Sequence, residues 1–155
     1  MSPSNVVPLI EATIDVAASP QRVWAVVADP VALGRLSPQV LRTVVLGRAP
    51  VRVGTIMVNL NRAGMTIWPT RAVVTEFEPV RRFSFTVTDN RATWSLTLTP
   101  TPTGTHIVHR REMTRGTTAV SGWIIDIAGG GQERYAALMR KGMQATLSAV
   151  ADLVR

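Results

Sequence analysis

From residue 132 to the end of the chain, apolar side chains recur at three- and four-residue spacing. Tyr135, Leu138, Met139, Gly142, Met143, Thr146, Leu147, Val150, Leu153 and Val154 fall on one side; Glu133, Arg134, Arg140, Lys141, Gln144 and Asp152 fall on the other. The spacing predicts a single amphipathic helix over residues 132–155, well beyond the average of about 11–12 residues. A stripe of that length has to be laid on an apolar surface of matching size. Nearly everything upstream has the period of strands, so that surface must be a sheet.

The first strand covers residues 10–16, where Ile10, Ala12, Ile14 and Val16 alternate with Glu11, Thr13 and Asp15. Ser19-Pro20 then supplies an N-cap and a first-turn proline for a short helix to about residue 28, with Val23, Trp24 and Val27 inward. Asp29-Pro30 stops it, and a second short helix spans residues 31–36. Strands follow at residues 40–47, 55–61, 66–77, 82–88, 91–99 and 105–115, separated by turn residues such as Ala63-Gly64, Glu78-Pro79 and Asp89-Asn90. Strand follows strand with no helix between, which predicts an antiparallel meander. The expected architecture is α+β: a curved antiparallel sheet of about seven strands around the long C-terminal helix, with two short helices after the first strand. Residues 121–128 read equally as helix or loop, and residues 129–131, three glycines, as a hinge.

Composition narrows the class. Hydrophobic residues make up 46% of the 155 and charged residues 17%, which excludes a disordered chain and fits one domain over residues 1–155. No stretch reaches the roughly 18 apolar residues of a membrane span, and the first eight residues do not read as a signal peptide. With no cysteine there is neither disulfide nor thiolate metal site, and a cytoplasmic location is the default expectation. The net charge is +7, but only Arg81-Arg82 and Arg110-Arg111 are adjacent, so the arginines read as a solvated surface and no nucleic-acid partner is expected. Two histidines leave no metal-ligand cluster, and no serine elbow or phosphate loop is present, so neither metal nor cofactor is expected.

Several strings resemble the SRPBCC, or START-like, superfamily, in particular its bacterial polyketide cyclase/dehydrase-like branch. Residues 14–24 (IDVAASPQRVW) are similar to its opening strand and helix. Asp29-Pro30 and Leu36-Ser37-Pro38 match its second-helix region, and Val53-Gly54-Thr55 and residues 74–79 (VTEFEP) its strands and turns. Gly104-Thr105 and residues 142–147 (GMQATL) complete the likeness. The resemblance implies the helix-grip fold. It leaves activity open, since the superfamily includes lipid carriers, cyclases and aromatases, hydrolases and ribosome-associated toxin-like proteins, and fold does not decide function.

Strand alternation indicates which residues face the cavity between sheet and helix. Phe83, Phe85 and Val87 share a face, as do Trp94, Leu96 and Leu98, and Ile56, Val58 and Leu60. In the last strand the face with Ile107 also carries His109, Arg111 and Met113. Two polar side chains in an apolar cavity need partners or a ligand. His109 and Arg111, with Glu76 reaching into the same space, would orient a carbonyl, carboxylate or phenol; alternatively the strand twists, Arg111 points to solvent and His109 bonds locally. Trp68, Phe85, Trp94 and Tyr135 form either a ligand-stacking wall or core, and Met139 and Met143 either core or an adaptable lining. Trp24 reads as packing and Trp123 as a gate at the mouth.

Two functions fit these residues, and a protein-interaction role, which the basic charge permits without supporting, is a third. One is a module that binds or transports a small hydrophobic ligand of lipid, polyketide or isoprenoid type, without stable membrane insertion. The other is a cyclase, aromatase or dehydratase, with His109 or Glu76 moving protons while Arg111 holds an enolate, chemistry that needs positioned acid–base groups and no metal.

Overall fold

The computed structural model describes residues 9–48, 50–113 and 132–155. Its elements are β1 (Leu9–Val16), α1 (Pro20–Val27), α2 (Pro30–Leu36), β2 (Val40–Leu46), β3 (Ile56–Ala63), β4 (Thr66–Glu78), β5 (Arg82–Val87), β6 (Ala92–Thr101), β7 (Gly104–Met113) and α3 (Gln132–Val154). The readings of residues 121–128, of the glycines at 129–131 and of Trp123 fall outside the described residues. The seven strands form one antiparallel sheet in the order β1-β7-β6-β5-β4-β3-β2, so the expected helix-grip architecture is the one observed.

Local chemistry sets the two short helices. Ser19 is extended, at φ −63° and ψ 151°, and its hydroxyl accepts from the Arg22 amide at 3.3 Å. Asp29 does the same for α2, accepting from Val31 and Ala32 at 3.0 and 3.3 Å. Each cap satisfies donors that the first helical turn cannot, and a proline stands at the start of both helices. Both therefore fold back at once across one end of the sheet.

The core lies between the sheet's inner face and α3. Met143, Leu147 and Val150 from the helix pack with Ile10, Phe83, Leu96 and Ile107 from the sheet, all at most 2% exposed. Leu138 and Leu153, expected on the buried stripe, are exposed. The helical stripe is narrower than the spacing implied and is completed by Ala136 and Ala151, which the wider pattern had passed over.

The inward faces expected for β5, β6 and β7 are those observed. That of β3 is reversed: Met57 is buried and faces the interior with Asn59, while Ile56, Val58 and Leu60 look outward. Alternation locates two faces but not which one is buried. Taking the more apolar face as internal failed on this strand, close to the sheet's edge, because its apolar face is the outer one.

A close approach at the corner between β1 and α1 depends on Gly104. A β-carbon there would overlap the carbonyl oxygen of Val16 and crowd the amide of Ala18, both backbone atoms. Thr105 beside it is fully buried and donates to the Ala18 carbonyl at 2.8 Å. Gly142 on α3 is different, since its added carbon would meet only Pro38, at 3.9 Å. Gly104→Ala is therefore expected to cost at least about 3 kcal/mol in urea unfolding. Gly142→Ala, by contrast, should gain about 0.5–1 kcal/mol of helix propensity. Similar effects at both positions would show that the β6–β7 turn does not lie against the β1–α1 corner.

Candidate functional site

Strand register assembles the inner face. Phe85 pairs with Trp94 and Trp94 with Arg111, while Phe83 pairs with Leu96 and Leu96 with His109. Because pairs of this kind stand side by side on one face, the aromatic rings form a continuous row. It runs Trp24, Phe77, Phe83, Phe85, Trp94, His109, with successive centroids 5.3, 6.1, 5.7, 6.5 and 5.6 Å apart. Phe85 and Trp94 are stacked, with 12° between their planes.

The polar end of this row is at β7. His109 is buried, and its Nδ1 has no hydrogen-bond partner among the described residues. Burial pushes its imidazole down to about 4, so the ring is neutral at physiological pH. Arg111, only 3% exposed, lies between two aromatic faces, its guanidinium carbon 5.8 Å from the Trp94 centroid and 5.4 Å from that of Tyr135 on α3. Ring quadrupoles attract a desolvated cation by about 2 kcal/mol, which offsets only part of the penalty for burying it. Of the two orientations open from the sequence, Arg111 takes the inward one.

Glu76 does not join them. Val74 pairs with Phe85 but Glu76 with Ser84, leaving Thr75 as an extra residue. The bulge exchanges the two faces of β4, as one inserted residue must, so Phe77 turns inward and Glu76 outward. There its carboxylate accepts from Arg82 and Ser84, both at 3.0 Å, and the Arg82 guanidinium holds its pKa below the usual carboxylate range. The expectation that it reaches the cavity is corrected on that ground. On the same outer face Arg110 is paired with Glu11, and His106 with Asp15 at 2.8 Å.

Other candidates sort by position. Leu96, Ile107, Met139 and Met143 are buried and form the helix–sheet packing itself. Trp68 has inward parity but stands far along the β3–β4 hairpin, beyond the reach of β5, and is exposed. Among the described residues a cavity of about 50 Å³ lies under α2, lined by Pro30, Leu33, Gly34, Ser37, Val40, Thr43, Met57, Asn59, Phe83 and Phe85. That is room for a few waters. Of the candidates named from the sequence, only Phe85 lines it. Gly34 lets α2 approach β2, since a β-carbon would collide with the Thr43 hydroxyl, and that hydroxyl donates to Asn59 Oδ1 at 2.6 Å. The polar alternation of Asn59 and Asn61 was the signal available for this wall. Among the described residues, no three His, Asp or Glu side chains cluster as metal ligands do.

Comparison with known proteins agrees with this fold. The family described as "Polyketide cyclase / dehydrase and lipid transport" matches residues 8–155. TTHA0849 from Thermus thermophilus superposes with a TM-score of 0.71 at 20% identity, covering 95% of this chain and 97% of its own. The di-domain ARO/CYC StfQ of the steffimycin biosynthetic pathway gives 0.75 at 17% identity, over 97% of this chain and 51% of StfQ. The Polyketide_cyc-like protein Cgl2372 from Corynebacterium glutamicum gives 0.60 at 26% identity, over 99% and 93%. No curated protein matches in sequence. With a family match over nearly its full length and the helix-grip fold around a buried, aromatic-walled face, the chain belongs to the polyketide cyclase/dehydrase and lipid transport family.

Proposed function

We propose that this protein binds or transports a small hydrophobic ligand in its interior, with the apolar body along the aromatic row and one polar group at His109 and Arg111. The observation that carries the proposal is the buried Nδ1 of His109, without a partner among the described residues, next along the inner face of β7 to a cation held between Trp94 and Tyr135. A buried polar atom without a partner costs free energy, and a ligand carbonyl, hydroxyl or carboxylate at this end would satisfy both side chains. The matched family includes lipid transport, and lipid-, polyketide- and isoprenoid-like molecules have the required shape: long, apolar, polar at one end.

A cyclase, aromatase or dehydratase reaction is the second reading, favoured by one observation. A neutral imidazole, His109, and a cation able to face an enolate, Arg111, stand two residues apart on the inner face of β7, although an imidazole lowered to about 4 is a weak base at physiological pH. The outward turn of Glu76 removes the second acid–base group from that scheme, and binding is therefore the leading function.

The titration of His109 is open to direct measurement. In the unfolded chain its imidazole titrates near 6.5, against about 4 in the fold. Between those values the unfolded state binds a proton that the native state refuses. The contribution is complete above pH 6.5 and is lost as pH falls toward 4, by up to about 3 kcal/mol. Urea unfolding across that interval is expected to show wild type losing more stability than His109→Phe by about this amount. A constant gap between the two would mean that the imidazole is not desolvated.

Binding itself is tested with a panel of fatty acids, neutral terpenoids and aromatic polyketide-like phenols, scored by native mass spectrometry and titration. Wild type is expected to bind members of it. Arg111→Leu should remain folded, because replacing a buried charge by an apolar side chain is often neutral or stabilising. It should bind the acidic and carbonyl-bearing ligands roughly tenfold to a hundredfold more weakly. If wild type binds none of the panel, or both Arg111→Leu and His109→Ala bind as wild type does, the site is not at this end of the interior.

A further inference from the structure

Between Asp29 and Glu76 the sequence contains no acidic residue and six arginines: Arg35, Arg42, Arg48, Arg52, Arg62 and Arg71. Against a net charge of +7, this one stretch contributes +6. It folds as α2, β2, β3 and most of β4, one edge of the sheet. All six arginines are exposed and none is ion-paired among the described residues; elsewhere Arg22, Arg81, Arg91 and Arg140 are likewise exposed and unpaired, while Arg82, Arg110 and Arg155 are paired. The asymmetry comes from missing acids rather than from a basic run.

The same edge exposes apolar surface. Eight of the eleven exposed large hydrophobic side chains among the described residues lie in this stretch. Met65, in the β3–β4 turn, is 94% exposed, and Ile67 is exposed beside it, at the end of a hairpin arm where residues 66–70 of β4 pair with β3 but not with β5. On the outer face, register interleaves the two chemistries: Arg42 is opposite Leu60, Val58 opposite Arg71, and Arg62 opposite Ile67. This is the face on which β3 turns its Ile, Val and Leu to solvent. The cavity under α2 is walled by α2, β2 and β3 of the same edge together with Phe83 and Phe85 of β5.

We infer that this edge docks the protein on a bilayer carrying anionic lipid headgroups, with Met65 and Ile67 entering the headgroup–acyl boundary and the arginines around them on the lipid phosphates. Protruding aliphatic side chains interleaved with cations suit an interface about 5–10 Å deep that is apolar below and anionic above. A nucleic acid would use the arginines but leave Met65, Leu60 and Ile67 against phosphate. Among the described residues no helix is long and apolar enough to cross a membrane, and the attachment inferred is peripheral.

The test is co-sedimentation with phosphatidylcholine vesicles, with and without phosphatidylglycerol, and needs no knowledge of the internal ligand. The protein is expected to pellet with the phosphatidylglycerol vesicles only, and less so as salt rises. Arg42→Gln and Arg62→Gln should each lower partitioning about fivefold, and Met65→Ser with Ile67→Ser roughly tenfold. Arg140→Gln, on the exposed side of α3, should leave it unchanged. Met65→Ser alone serves if the double variant melts earlier than wild type. Failure to sediment with anionic vesicles, equal sedimentation with neutral ones, or an equal loss in Arg140→Gln would overturn the inference. So would binding to duplex DNA or to an acidic protein in place of vesicles, which would assign the edge to that partner.

Discussion

A sheet of seven strands has two faces and two free edges, and one apolar face of that area cannot be left in water. Laying α3 across it removes both that surface and the helix's own stripe from solvent, and the rest of the molecule is arranged around this contact. Leu147, Val150 and Met143 stand against Ile10, Leu96 and Ile107, every one of them buried. At about 25 cal/mol per Å² of apolar surface, a contact of this kind is the dominant favourable term in folding. A straight helix does not follow a curved, twisted sheet along its whole length, so the closest packing is local. The remainder of the inner face is covered by α1 and α2, or lined by aromatic side chains.

The candidate site residues lie where that packing changes character. Along β7 the inward positions run Ile107, His109, Arg111, from a core side chain to a neutral imidazole to a buried cation. Placing two such groups in the interior is unfavourable by itself. Trp94 is in contact range of both, 5.6 Å from the His109 ring and 5.8 Å from the Arg111 guanidinium carbon, and makes the arrangement tolerable without satisfying Nδ1. A site that is folded but not fully satisfied is what a ligand can complete, since binding then recovers free energy that folding alone leaves unrealised.

The edge made by β2, β3 and β4 follows a different rule. Its inner face carries Thr43, Asn59 and Asn61, polar for an interior, and its outer face carries Ile56, Val58 and Leu60, apolar for a surface. Inversion of this kind opposes folding locally and is expected at sites under functional rather than structural constraint. Here it coincides with the acid-free stretch that holds most of the net charge. The interior polar wall and the exterior apolar wall are the two sides of the same three strands, so an event on one is mechanically close to the other.

The helix period at the C-terminus, the strand run before it, the cap at Ser19 and the stop at Asp29-Pro30 determined the fold, because periodicity, capping and helix breaking are local properties that survive transfer into the structure. They also placed His109 and Arg111 on one face, two residues apart on an unbroken strand. Glu76 shows where this stops: its parity matched the interior, but a bulge at Thr75 exchanged the faces of β4, and the resulting change of phase from Val74 to Phe77 spans too few residues to stand out as a pattern. The inward turn of Met57 and Asn59 was hidden for a related reason, since alternation is symmetric and only the covering layer decides which face is buried. Trp68 had the right parity on an arm too long to reach the core. What the tertiary structure alone decided was the neighbourhood of each side chain, because pairing register, bulges and the position of α2 depend on contacts between residues far apart in sequence, whereas a local pattern records only a residue's own strand.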